Sequence, residues 1–399
     1  MNRQLLNLHL HNYTKQSLIT MIKQLISRVP QQAARLRWVA LLAASTFTLS
    51  GCGAVVNTSW SNATLAQDTL YVAFDSRVFA VNPATGVEQW RFDTEKARGS
   101  APVAPAASVA NHFFSAPTVL SDQVVLATYN QVVFGLQPNG VGTWYYDGDT
   151  KHRQVITSNS SSDDKQIYFA TGQDLFALDL EGNRQWTYEN DNELWAAPSI
   201  GDGVLYQPSM NHKLYALDAA TGSVRWEQDL GVSLVDAPNL VGDMLYLGGL
   251  GNKIFARKAS DGSPVWEFET VGWVWESPLV QDGVAYFGDL KGNLYAVDAA
   301  TGVARWPQAV PLNGAIRGGV AMQGDTLFVN TDAGFVYALK ADTGETVWQV
   351  EVDPAVKERL LSTPILTSDL VIITPISAPN LVYAYQQKSG VPAWQFSGK

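Results

Sequence analysis

Beyond about residue 58 the chain is written in short apolar segments separated by turn residues. The stretch from Glu276 to Gln308 sets the pattern. Ser277-Pro-Leu-Val reads as a first strand, A, and Asp282-Gly283 as a hairpin turn. Val284-Ala-Tyr-Phe-Gly follows as strand B. Lys291-Gly292-Asn293 turns the chain into Leu294-Tyr-Ala-Val, strand C. Asp298 to Gly302 forms the next turn, with Gly302 free to take positive φ, and Val303 to Trp306 opens strand D. No segment after Cys52 carries a helical period, and Pro354 to Leu361 reads as a loop.

The same unit recurs. Ala216-Leu-Asp-Ala-Ala-Thr-Gly-Ser-Val-Arg-Trp226 returns as Ala296-Val-Asp-Ala-Ala-Thr-Gly-Val-Ala-Arg-Trp306, and a third copy ends at Trp90. Weaker copies end at Trp144, Trp186, Trp266, Trp348 and Trp394, each with Gly four residues before the Trp. A period of about 40 residues with several strands per unit indicates a propeller or solenoid. One small sheet cannot bury both of its faces, whereas sheets packed radially bury them against their neighbours. The chain is therefore expected to be all-β, an eight-bladed β-propeller of four-stranded antiparallel blades, spanning 58–399. Unit 1 opens at Ser61 to Ala66 and unit 8 ends at Val391 to Phe396. Val55-Val56 could add a short closing piece. The Ala/Pro-rich stretch from Asp93 to His112 reads as a surface excursion between units 1 and 2. The eight Trp are expected to dock into neighbouring blades, because their regular placement suits scaffold better than ligand binding.

The motif Ala-x-Asp-x-x-Thr-Gly-x-x-x-Trp resembles the pyrroloquinoline quinone (PQQ) repeat, or tryptophan-docking motif, from about Trp60 to Phe396. That family includes quinoprotein dehydrogenases and proteins that bind no quinone, so the resemblance fixes a fold before it fixes a task.

The first 51 residues differ from the rest. They hold six basic residues (Arg3, Lys15, Lys23, Arg28, Arg35 and Arg37) and no acidic one. An apolar run of roughly 12 residues, Trp38 to Leu49, then leads to Leu49-Ser50-Gly51-Cys52. This reads as a secretory signal over 1–51, its apolar run too short to span a bilayer as a helix. Leu-Ser-Gly-Cys resembles the bacterial lipobox, which implies lipid on Cys52, a short tether over 52–57 and attachment to a bacterial membrane. The body would then face the periplasm or the cell exterior. Met21 offers a second start that shortens the basic region.

Composition narrows the partners. The formal charge is -10, and removing the basic leader leaves the body more acidic still. That disfavours nucleic acid and anionic lipid surfaces. Cys52 is the single Cys, so disulfides within the chain and Cys-rich zinc sites are excluded. His112, His152 and His212 lie in unrelated units without metal-ligand spacing and read as loop residues. Gly248-Gly-Leu-Gly251 reads as a turn, and Asp179, Asp218 and Asp298 as turn formers. No catalytic residue or metal site is assigned.

Aligning the units exposes one variable position at the start of strand A: Trp60, Phe114, Thr157, Trp195, Val235, Trp275, Arg317 and Leu361. Strand A is innermost in a propeller, so these should ring one channel mouth. With Trp273, and with Asp191, Glu193 and Arg359 nearby, Trp60, Phe114, Trp195, Trp275 and Arg317 form a candidate binding rim for a peptide, sugar or planar ligand. The alternative is that they plug the channel or pack between loops. Ser158-Asn-Ser-Ser-Ser162 is unusually polar for an inner strand, as a wet wall or as an imperfect repeat.

Signal, lipobox, blade number and length together resemble the propeller lipoproteins of the outer-membrane β-barrel assembly machinery. That resemblance implies a non-catalytic, monomeric scaffold that holds other envelope proteins or peptides by its loops, with no cofactor. Two other readings stay open. One is a PQQ-dependent oxidoreductase using calcium, although the adjacent Cys pair of that family is missing here. The other is a carbohydrate or peptide binder using the aromatic rim.

Overall fold

The computed structural model describes residues 62–94, 112–129, 131–148, 161–163, 165–354, 359–376 and 379–399. The chain divides into Met1–Thr58 and Ser59–Lys399. The expected signal and tether, Cys52, Val55-Val56 and Trp60 lie outside the described residues, as do His152, Thr157, Ser158 to Ser160, the body of the expected Asp93 to His112 excursion and the centre of the Pro354 to Leu361 stretch.

The second unit is an eight-bladed propeller. Its strands form eight antiparallel sheets of four, each built from consecutive strands. Blade 5 is typical: A is Asn239–Val241, B Met244–Gly249, C Lys253–Lys258 and D Pro264–Glu269. Strands B and C are buried on both faces, which explains their nearly continuous apolar runs. Strand D is the outer edge and alternates, with one face on the neighbouring blade. Six of the eight outer strands end on an acid: Asp93, Asp147, Glu189, Asp229, Glu269 and Glu351.

Each interface between blades holds one apolar cluster. Leu70, Val72 and Phe79 of blade 1, for example, pack on Ile372, Val382 and Phe396 of blade 8. The strand D indoles complete these clusters. Trp226 lies against Gly262 of the next blade, where a Cβ would come within 2.7 Å of the ring, and its Nε1 donates to the Ala259 carbonyl at 3.2 Å. Gly262 sits at φ +71°, so glycine is needed both for backbone shape and for closeness. Across strands C and D, Trp226 pairs with Ala216, and the register shifts there by a bulge. The small residue leaves room for the indole. Trp144 departs from the pattern: its Nε1 donates to Gln123 Oε1 at 3.0 Å, and Gln123 Nε2 passes the bond on to the Leu180 carbonyl.

Two expectations need correction. Strand D of blade 6 does not run from Val303 to Trp306. Only Ala304 makes an isolated bridge there, and the strand proper is Val310–Pro311. Pro307 follows Trp306 and has no N–H to give to strand C. Trp306 is nonetheless only 4% exposed and bonds the Ala341 carbonyl at 3.2 Å. Strand A of blade 6 is also shorter than expected, starting at Leu279 just after Pro278.

Asp218 and Asp298 act in their turns. Each Oδ1 accepts from two backbone N–H groups, and each Oδ2 accepts from an Arg on strand D, Arg225 or Arg305. These donors hold both carboxyls below the usual range, with the Arg225 bond first for Asp218 and the Thr301 hydroxyl first for Asp298.

Candidate functional site at the channel mouth

The loops from strand D into the next strand A pair with the B–C hairpins. Met210 N–H donates to Glu193 O, Leu250 to Ser233 O and Leu290 to Trp273 O. One face of the disc is made this way, and the rim residues sit on it. Trp195 is 42% exposed, its Nε1 donating to Glu193 Oε2 at 2.6 Å. Trp273 is 49% exposed. Neither indole has a ring partner among the described residues. Phe114 instead packs on Tyr129, centroids 4.9 Å apart. Val235 is buried.

Trp275 and Arg317 come together. The guanidinium lies 5.3 Å from the indole centroid, a cation–π contact between blades 6 and 7. Asp332 Oδ2 is 3.9 Å from Arg317 Nε.

One residue further along each inner strand lies a feature that the rim alignment stopped short of. Other units place Ser, Ala or Gly there, whereas blades 5 and 6 place Asp236 and Glu276. That break in the column was the available signal. Asp236 Oδ2 accepts from Ser277 N–H at 2.7 Å. Glu276 Oε2 accepts from Thr363 Oγ1 of blade 8 at 2.7 Å, and Thr363 Oγ1 accepts from Gly319 N–H of blade 7 at 2.8 Å. The carboxyl thus links three blades. Burial, reinforced by the nearby charge of Asp236, pushes Glu276 up to about 8. Burial likewise raises Asp236.

Glu276, Trp275 and Arg317 face a cavity of about 410 Å³. Its other described walls come from blades 8, 1 and 2, among them Leu361, Ser362 and Asn62. No group of three or more His, Cys, Asp or Glu among the described residues could hold a metal. Asp236 and Glu276 supply two neighbouring carboxyls here.

The sequence profile of the outer membrane protein assembly factor BamB matches residues 26–197, 181–313 and 291–399, nearly the whole chain. The chain belongs to the BamB family. Curated BamB from Nitrosomonas eutropha is 28% identical over 167 residues, covering 40% of this chain and 36% of that protein. The chain thus spans about a third of that relative in the match. The crystal structure of BamB from Moraxella catarrhalis superposes with a TM-score of 0.61 at 22% identity, over 71% of this chain and 85% of that one. The quinohemoprotein alcohol dehydrogenase from Comamonas testosteroni superposes as well, at 0.62 and 12% identity, over 85% of this chain and 74% of that one. The two superpositions share the fold alone, and it is the profile that separates a BamB-type propeller from a quinoprotein one.

Proposed function

We propose that this chain is an exported scaffold of the bacterial envelope, held to a membrane by lipid on Cys52 and taking part in outer-membrane protein assembly. The observation that carries this reading is the BamB profile running from residue 26 to residue 399. The disc would act as a monomer and dock another envelope protein through its loop face. Trp195 and Trp273 are the natural anchors there, because docking would remove a large apolar indole area from water and indoles are enriched at binding hot spots. The acidic charge suits protein partners rather than nucleic acid.

The test is affinity purification of the tagged full chain from detergent-solubilised envelopes after mild crosslinking. The expected result is co-purification of β-barrel assembly proteins. Clean recovery of the chain without any of them would overturn the assembly role.

A further inference from the structure

The cavity at the channel mouth has an uneven chemistry. On one side stands Arg317, its guanidinium over the Trp275 ring and making no hydrogen bond among the described residues. Its nearest carboxylate, Asp332, is at 3.9 Å, longer than a charge-assisted hydrogen bond. On the other side stands Glu276. Gly319 N–H fixes the Thr363 hydroxyl as an acceptor, so that hydroxyl gives its own proton to Glu276 Oε2. When Glu276 is neutral, its proton therefore resides on the other oxygen, which becomes a donor. Between these groups the walls mix Leu361, Ile365 and Ile376 with the uncharged polar Asn62, Ser362 and Thr374. The guanidinium seeks an acceptor, and an anionic one satisfies it best.

We propose that this cavity binds a small organic acid, its carboxylate on Arg317 and its apolar body against Leu361, Ile365 and Ile376, with Glu276 on the same wall. The volume is in the range of small-molecule sites. This goes beyond the docking role and does not rest on it.

The site carries its own pH dependence. The charged groups that face Glu276 are Asp236 from blade 5 and Arg317, with Asp332 beside it, from blade 7; the described walls from blades 8, 1 and 2 are uncharged. Glu276 is held neutral up to about 8. Above that it adds a negative charge to the wall that faces the bound carboxylate, so affinity falls as pH rises.

Benzoate is the probe, with benzamide as the uncharged control, titrated calorimetrically into the full chain. Saturable benzoate binding is expected at about pH 6, weaker by about tenfold or more at about pH 9, with none for benzamide. Arg317→Gln should weaken benzoate by about tenfold or more at the lower pH. Glu276→Gln stays neutral at every pH and should remove most of the pH dependence. Should Arg317→Gln fail to fold, the pH profile of Glu276→Gln decides. Competition by tetraalanine with a free, but not an amidated, C-terminus would assign the carboxylate to a peptide end; its failure beside good benzoate binding would assign a free acid. Absence of saturable benzoate binding by the folded chain at the lower pH, or equal binding by a folded Arg317→Gln, would overturn the proposal.

Discussion

Trp394 lies across Gly86, the last outer strand on the first blade. A Cβ on Gly86 would come 2.5 Å from the indole Cε3, and Trp394 Nε1 donates to the Pro83 carbonyl at 3.1 Å, across 311 residues of sequence. Among the described residues each of blades 8 and 1 keeps its own four strands, and the two meet through side-chain packing and this hydrogen bond. Trp394→Ala should cost about 3–5 kcal/mol. Gly86→Ala should also destabilise, because its φ of +71° and the indole both oppose a side chain. The double variant should lose less than the sum of the two, since they share one contact. Denaturant unfolding of the three proteins checks this, and strict additivity would place the two residues in separate contacts.

Glu276 makes folding pH-dependent. It keeps its proton to about 8 when folded, against an ordinary value of 4.5. Between those values the folded chain binds more protons than the unfolded one. Stability therefore falls as pH rises through that window and levels off above it. Asp236 and Asp174, both raised by burial, contribute with the same sign. In Glu276→Gln the first contribution is gone. Melting temperatures across the window should show the variant gaining on the wild type as pH rises, and a constant difference would mean that Glu276 titrates alike in both states.

The rim indoles should behave as surface residues for folding. Trp195→Ala and Trp273→Ala remove side chains 42% and 49% exposed. Unfolding free energy should change by no more than about 0.5 kcal/mol. Recovery of the partners of the proposed assembly role should drop sharply. A large loss of stability would make these indoles structural instead.

Lipid on Cys52 is tested by Cys52→Ser. Cell fractionation should move the chain from the membrane to the soluble exported fraction, and detergent phase partitioning should lose it from the detergent phase. A variant that stays with membranes would need another anchor.

Much of the fold was legible because its signals are local and repeated. Turn residues at fixed offsets gave the blade count and the four strands per blade, and the eight sheets agree. Blade 6 was misread where one covalent detail, Pro307, interrupts a strand that the motif would continue. The site was less legible. Aligning units showed where variation lies, and Trp275 and Arg317 do meet. Glu276 escaped notice because its significance depends on Thr363, 87 positions later, and on a burial that no local pattern encodes. Phe114 reads like its neighbours in the column, yet tertiary packing gives it to Tyr129.

The acids that end the outer strands bear on how discs meet one another. Each strand D is an unpaired edge that could zip onto a second molecule, and blades 1 and 2 also expose Val87 and Val141 near it. Glu189, Asp229, Glu269 and Glu351 set like charges at the ends of four of these edges, whereas Asp93 is paired with Arg77 at 3.4 Å. Crowded molecules would thus keep their flanks apart by mutual repulsion while their flat faces stay free to engage, and acid or strong salt would relax that spacing.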